Sequence, residues 1–239
     1  MNKARPVAAS RYSLSEQVRN HVLKMIAVGD LAPGDRIVEA RIANELHVSS
    51  IPVREAIREL VAKRVLEYVV HKGARVREVS MAETVDALQV KAVLEALAAR
   101  LAGARLTQYM SRLREHLKPM RALLVRRDFV KFQDRNQSFH RTIVEASCNP
   151  ILLTLWDTLA FEVRTKFIMD HLKGLDPDQL TGEHEIVLRA IEDGDPEQVA
   201  ELLMTHSYHL IEGLKNQIAA TLPTAAAPDD ISAKTRRET

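Results

Sequence analysis

Three histidines carry the strongest chemical signal in this chain. His140 shares a helically spaced apolar stripe with Phe132, Phe139, Ile143 and Val144. His184 lies in the same way with Leu180, Val187, Leu188 and Ile191, and His206 with Val199, Leu202, Leu203 and Leu210. A lone imidazole on such a stripe is more often a hydrogen-bonded core residue than a ligand. Three on separate helices of one bundle are different, because each needs partners once desolvated and a single cation can satisfy all three. Bundle cores are a common place for metal sites. Asn136 stands four residues before His140, one turn away on the same face.

A second group of residues suits the reading of a polyanion. A helix laid in the major groove needs a backbone clamp, exposed side chains on its first turns and a positive field along the phosphates. Ser49, Ser50, Ile51, Arg54 and Arg58 occupy those places. Their hydroxyls can donate to phosphate or base edges, and Arg54 can fork onto guanine O6 and N7. Lys72 and Arg75 follow on a predicted hairpin, within reach of phosphate or the minor groove. Singly, each of these residues also suits a solvated basic surface; their ordered combination favours DNA.

The elements that must position these groups are mostly helical. The 239 residues are comfortable for two domains, and few Gly, Pro and aromatic residues argue against an all-β fold. Residues 1–78 carry 14 Lys and Arg against 9 Asp and Glu, and the remainder carries 20 against 23. That asymmetry suits a polyanion-binding head on a body with another task. The single Cys148 excludes an internal disulfide framework and any Cys-based zinc finger. No apolar run approaches the ~18 residues of a membrane span, and Met1 to Ser10 lack a signal-peptide core, so a cytoplasmic location is expected.

Ser13 and Glu16 have capping-box spacing before the stripe Leu14, Val18, Val22, Met25 and Ile26. A short helix is expected over Glu39 to Leu46, and a second from Ser50 with Pro52 in its first turn. Leu66–Val70 and Arg75–Val79 read as a hairpin with Gly73 at its tip. Helix, helix, turn, helix, hairpin is the order of a winged helix-turn-helix. Beyond Ser80 the pattern predicts helices at 81–104, 107–125, 127–147, 150–171, 177–192 and 196–218. Asn149-Pro150, Asp176-Pro177 and Asp195-Pro196 serve as three of their start signals. The fold class is therefore mainly α, a winged helix-turn-helix over 12–79 followed by an all-helical bundle over 80–218. Residues 1–11 and 219–239 are expected to be disordered.

Ala32-Pro33-Gly34-Asp35-Arg36-Ile37, Glu39 and the run Ala43 to Leu60, with Pro52-Val53-Arg54-Glu55-Ala56 inside it, resemble the N-terminal domain of GntR-type bacterial transcriptional regulators. The helical remainder resembles the FadR-like branch, whose effector (FCD) domain is a helical bundle. The resemblance covers about residues 12–217 and adds Arg36 and Gly73 to the expected DNA contacts. One departure is Ser50, where the family usually has Arg. Many relatives bind a divalent metal with an Asp and a His one turn apart and two later histidines. The resemblance thus implies Asn136, His140, His184 and His206 as ligands, with Asn136 where Asp is commoner. Lys91 and Glu95 stand where relatives have an Arg-x-x-x-Glu-like pair near the pocket.

These observations imply a ligand-responsive transcriptional regulator, not an enzyme, binding double-stranded operator DNA as a homodimer. The expected cofactor is a divalent metal, zinc ahead of nickel or manganese, and the expected effector a small organic acid or similar metabolite. Lys91, Arg100, Arg141 and Arg164 are the candidate anion-binding residues. His209, one turn past His206, could line the same cavity, but a place at the surface or behind the ligands is favoured; His116 and His171 read as exposed helix or helix-end residues. Trp156 reads as a core or dimer-interface anchor. Two rivals remain at this point: a metal-dependent enzyme, disfavoured because no His-Glu-x-x-His pair occurs, and a constitutive DNA-binding protein with structural histidines.

Overall fold

The structure is a computed structural model that describes residues 13–173 and 176–221. The head comprises α1 (Leu14–Val28), α2 (Glu39–Leu46), α3 (Ser50–Ala62) and the strands β1 (Leu66–Val69) and β2 (Gly73–Val76). Ser13 opens α1 with a complete capping box: its hydroxyl accepts from Glu16 N–H, and its own N–H donates to the Glu16 carboxylate at 2.7 Å. Val18, Val22 and Met25 of α1 bury with Ile42 of α2, Val53, Ile57 and Leu60 of α3, and Leu66 and Val76 of the wing. Burial of each large side chain stabilises by about 1.5–3 kcal/mol, so these sparse helices hold together through this shared core.

The wing pairs antiparallel from Leu66↔Val76 to Val69↔Gly73. Its second strand starts at Gly73 rather than at the expected Arg75. Positive φ angles at His71 (61°) and Gly73 (81°) turn the chain within three loop residues. Arg36 forms a further bridge to Arg75, tying the α1–α2 loop to the wing.

The body comprises α4 (Met81–Ala102), a 3-10 segment at Gly103–Tyr109, α5 (Met110–Leu117), α6 (Met120–Val125), α7 (Phe129–Ala146), α8 (Pro150–Asp157), α9 (Phe161–Leu172), α10 (Pro177–Glu192) and α11 (Pro196–Thr221). The long helices α4 and α11 pack along one another, with Ala92, Ala96 and Ala99 buried on α4. Asn149 and Asp176 cap α8 and α10 ahead of a first-turn proline, and Asp195 accepts from Gln198 N–H at the start of α11.

Two expected helices are broken. The 107–125 segment divides into the end of the 3-10 turn, α5 and α6, with Pro119 at the second break. The 150–171 segment divides at Ala160, whose left-handed backbone (φ 50°, ψ 57°) ends α8 and redirects the chain into α9. The expected tail also begins too early, because α11 continues through Thr221. The rest of that tail and residues 1–12 lie outside the described residues. Ala160 and Val163 enter the head's own hydrophobic cluster, so the start of α9 docks the body onto the head.

Candidate metal and effector site, with the DNA-reading face

Helices α7, α10 and α11 bring His140, His184 and His206 together. One ring nitrogen from each lies within 4.8 Å of the others, and His140 and His184 are buried. The ring centroids are 4.6 Å apart for His184 and His206, 5.2 Å for His140 and His206, and 5.4 Å for His140 and His184. Tetrahedral zinc–nitrogen bonds of ~2.1 Å would set such nitrogens ~3.4 Å apart, so a modest inward movement of side chains completes the site.

The Nδ1 side of each ring faces an oxygen. His206 Nδ1 donates to Glu183 at 2.5 Å, His184 Nδ1 to the Leu180 carbonyl at 2.9 Å, and His140 Nδ1 lies 3.0 Å from Glu95 Oε2, poorly aligned for a hydrogen bond. Such partners orient metal-binding imidazoles and leave Nε2 to face the ion. Nε2 of His140 is fully buried with no hydrogen-bond partner.

His184 is the most telling of the three. Its Nδ1 and Nε2 both face oxygens, Leu180 O at 2.9 Å and Asn136 Oδ1 at 2.8 Å. Burial, reinforced by the neighbouring His206 and His140, holds its pKa well below the usual imidazole value, so the ring is neutral and carries one proton. One contact is therefore lone pair against lone pair. Either the Asn136 amide turns its N–H₂ toward the ring, or a cation lies between the two atoms. The donor set fits a divalent cation.

Burial likewise pushes His140 down to about 4, despite the raising effect of Glu95. Glu95 remains a carboxylate: burial disfavours its charge, but His140 and Lys91 outweigh that penalty. It accepts from Lys91 Nζ at 2.8 Å and from Trp156 Nε1 at 2.9 Å. The Lys91–Glu95 pair is buried, and Trp156 is a core residue bonded to it.

A cavity of about 370 Å³ opens beside the imidazoles. Phe132, Ile168, Leu172, Leu180 and Leu210 form its apolar side; Asn136, Gln179, Glu183, Glu212 and Asn216 form much of its polar side. His171 and His209 also line it, so His171 is a half-buried pocket residue and not the exposed residue expected. Glu183 went unrecognised in the sequence. It accepts from both His206 and His209, and its pKa is lowered because those bonds outweigh the cost of burial. Its only sequence signal is its place beside His184, one turn from Leu180. His116 is half-buried, with neither ring nitrogen partnered.

None of the four candidate cations lines the cavity. Lys91 is held by Glu95. Arg100 is exposed and pairs with Glu197 at 2.7 Å. Arg141 joins Glu145 and Asp157, and Arg164 donates to the carbonyls of Leu159 and Ala160 and to Glu83.

On the head, Ser49, Ser50, Ile51, Arg54 and Arg58 form one exposed run at the start of α3. Ser49 precedes the helix without capping it, which leaves its hydroxyl free for a ligand. Arg54 pairs with Glu39 at 2.9 Å, a contact that binding of a base would replace. Lys72 and Gly73 are exposed at the wing tip, Arg75 is held by Glu67 at 2.7 Å, and Arg36 is exposed beside it.

A winged helix-turn-helix carrying an all-helical domain with a cavity defines the class: a DNA-binding regulator with a helical second domain. Residues 14–76 match the family of bacterial regulatory proteins designated gntR, and residues 86–209 match the FCD domain. The chain is 34% identical over 217 residues to a probable D-xylose utilization operon transcriptional repressor of Paenarthrobacter nicotinovorans, covering 91% of each chain. It is 26% identical to the gluconate operon transcriptional repressor of Bacillus licheniformis, covering 84% of this chain and 82% of that one. Among solved structures, McbR/YncC of E. coli superposes with a TM-score of 0.71 at 26% identity, covering 87% of this chain and 99% of that one. The protein belongs to the GntR family of transcriptional regulators, in its FCD-containing architecture. No described helix is long and apolar enough to cross a membrane.

Proposed function

We propose that the protein is a homodimeric, metabolite-responsive repressor with a metal-containing pocket in its helical domain. The observation that carries this reading is the pair of oxygens facing the two nitrogens of the neutral His184 ring, in a cluster where His140 Nε2 is also unpartnered. His140, His184, His206 and Asn136 would hold a divalent ion, zinc ahead of nickel or manganese, and that ion would supply a positive centre for an oxygen donor of the ligand. Asn136 contributes no charge, so the ion keeps its full charge toward the cavity.

Ser49, Ser50, Ile51, Arg54 and Arg58 would enter the major groove, with Lys72, Gly73 and Arg75 of the wing and Arg36 on the flanking backbone. The names of the two operon repressors above favour repression over activation. Pairing of two chains is supported by an uncovered apolar stripe on α4, where Val90, Val93, Leu97 and Leu101 are 42–57% exposed, with Ile151 and Leu155 exposed on α8. The start of α9 lies in the head's core, so a change in the bundle reaches the head directly and alters the spacing of two heads over a fixed operator.

Native mass spectrometry of protein purified without chelator tests the reading. One divalent ion per chain, lost in His184→Ala, and a two-chain mass that falls to one chain in Leu97→Glu are the expected results. A metal-free protein with a wild-type-like mass spectrum for His184→Ala would leave only a constitutive DNA-binding protein.

A further inference from the structure

Resting on the sensor reading above, we propose that the molecule recognised in the helical cavity is a small, uncharged, polyhydroxylated compound of the size of a pentose or pentitol, and not an organic polyacid. The cavity's composition carries the inference. Among its described lining residues there is no Lys or Arg, and the four cations that could have met a carboxylate are engaged elsewhere. In their place the lining holds two carboxylates, Glu183 (bonded to His206 and His209) and Glu212, and the amides Gln179 and Asn216 beside the proposed metal ligand Asn136.

Groups of those kinds suit hydroxyls. A hydroxyl donates one hydrogen bond and accepts others, so it can give its proton to a carboxylate or amide oxygen and take one from an amide N–H₂. A carboxylate ligand offers acceptors only, and against Glu183 and Glu212 it meets like charge. Charge counting points the same way. A divalent ion on neutral ligands contributes two positive charges, Glu183 and Glu212 two negative ones, and the Lys91–Glu95 pair behind His140 is balanced. The two carboxylates therefore offset the ion's charge before any ligand enters. An aspartate at position 136 would have shifted that balance toward negative; among the described lining residues no Lys or Arg shifts it toward positive.

The apolar part of the lining suits the carbon skeleton of the same molecule. Phe132 and the side chains of Ile168, Leu172, Leu180 and Leu210 give an apolar surface for C–H groups. The volume of about 370 Å³ falls at the small end of the ~300–1,000 Å³ typical of small-molecule pockets. His171 also restricts it, because its imidazole lies directly over the bare Cα of Gly213.

The full-length protein, zinc-loaded and with zinc retention monitored by native mass spectrometry, is titrated with xylitol, ribitol, D-xylose and D-ribose and, separately, with malonate and citrate. Thermal unfolding is the readout. At least one neutral probe is expected to raise the midpoint by several degrees at millimolar concentration, and the two acids are expected to give no rise. The rise should disappear in the double variant Gln179→Leu/Asn216→Leu, whose exposed sites leave folding and zinc retention intact. A larger rise with malonate or citrate, no rise with any neutral probe, or a rise untouched by the double variant overturns the proposal. Zinc alone separates this from the reading beneath it. If zinc stabilises the wild type but not His184→Ala, the metal-pocket reading stands whichever ligand wins; if it stabilises neither, that reading falls as well.

Discussion

Trp156 donates its indole N–H to Glu95 Oε1 at 2.9 Å, and the other oxygen of the same carboxylate accepts from Lys91 and faces His140. One buried anion therefore fastens α8 to α4 and backs a ring of the histidine cluster. Removing it strands a buried ammonium. Glu95→Leu should cost about 3–5 kcal/mol in chemical denaturation, the usual penalty for breaking a buried pair from one side. The double variant Lys91→Met/Glu95→Leu should recover a large part of that loss. A single variant with wild-type stability would show that the pair is solvated.

Asn136→Asp places a negative charge against His184 Nε2 without changing side-chain length. Divalent metal affinity, measured by competition with a chelator, should rise by roughly an order of magnitude. An unchanged or weaker affinity would remove Asn136 from the ligands.

His116 predicts a pH dependence. Burial first, then the nearby Arg112 and Arg135, depress its pKa below the unfolded value of 6.5. A group depressed in this way contributes stability that is intact above 6.5 and is lost as pH falls through that value toward the folded one. His116→Leu should remove this contribution, so the difference in unfolding midpoint between pH 7.5 and pH 5.5 should be smaller in the variant. Parallel midpoint curves for the two proteins would contradict it.

Gly213 lines the cavity but is not among the proposed metal ligands, so a substitution there tests the cavity alone. Alanine there would favour the helix by about 1 kcal/mol but overlap the His171 ring, which must swing aside. Gly213→Ala should retain wild-type zinc stoichiometry while weakening the response to the neutral probes at least fivefold, read by thermal unfolding titrations. Equal loss of zinc would mean that the two sites are not separable.

Much of this was legible in the sequence because local chemistry dictated it. Ser13 with Glu16, Asn149-Pro150 and Asp176-Pro177 announce helix starts through the hydrogen bonds they make with their own first turns. The convergence of three histidines followed from apolar periodicity, which turns each toward one core. The break at Ala160 was not legible, since a left-handed residue is ordinarily signalled by Gly or Asn and here tertiary docking imposes it on alanine. Glu183 escaped for a related reason: its partners His206 and His209 lie on α11, so its role exists only once helices pack. Burial of Lys91 escaped too, because a lysine on a helix reads as surface until Glu95 is seen to hold it beside the Phe161 ring.

The placement of Ala160 and Val163 among the apolar residues of the head bears on how the chain can be dissected. A fragment ending near residue 79 would lose two of the side chains that seal its interior, and the cluster they complete would sit nearer to water. The winged module thus borrows part of its insulation from a segment more than 80 residues downstream. Excision of the sensory helices would weaken the module that grips the groove, even though none of the residues removed would ever meet a base.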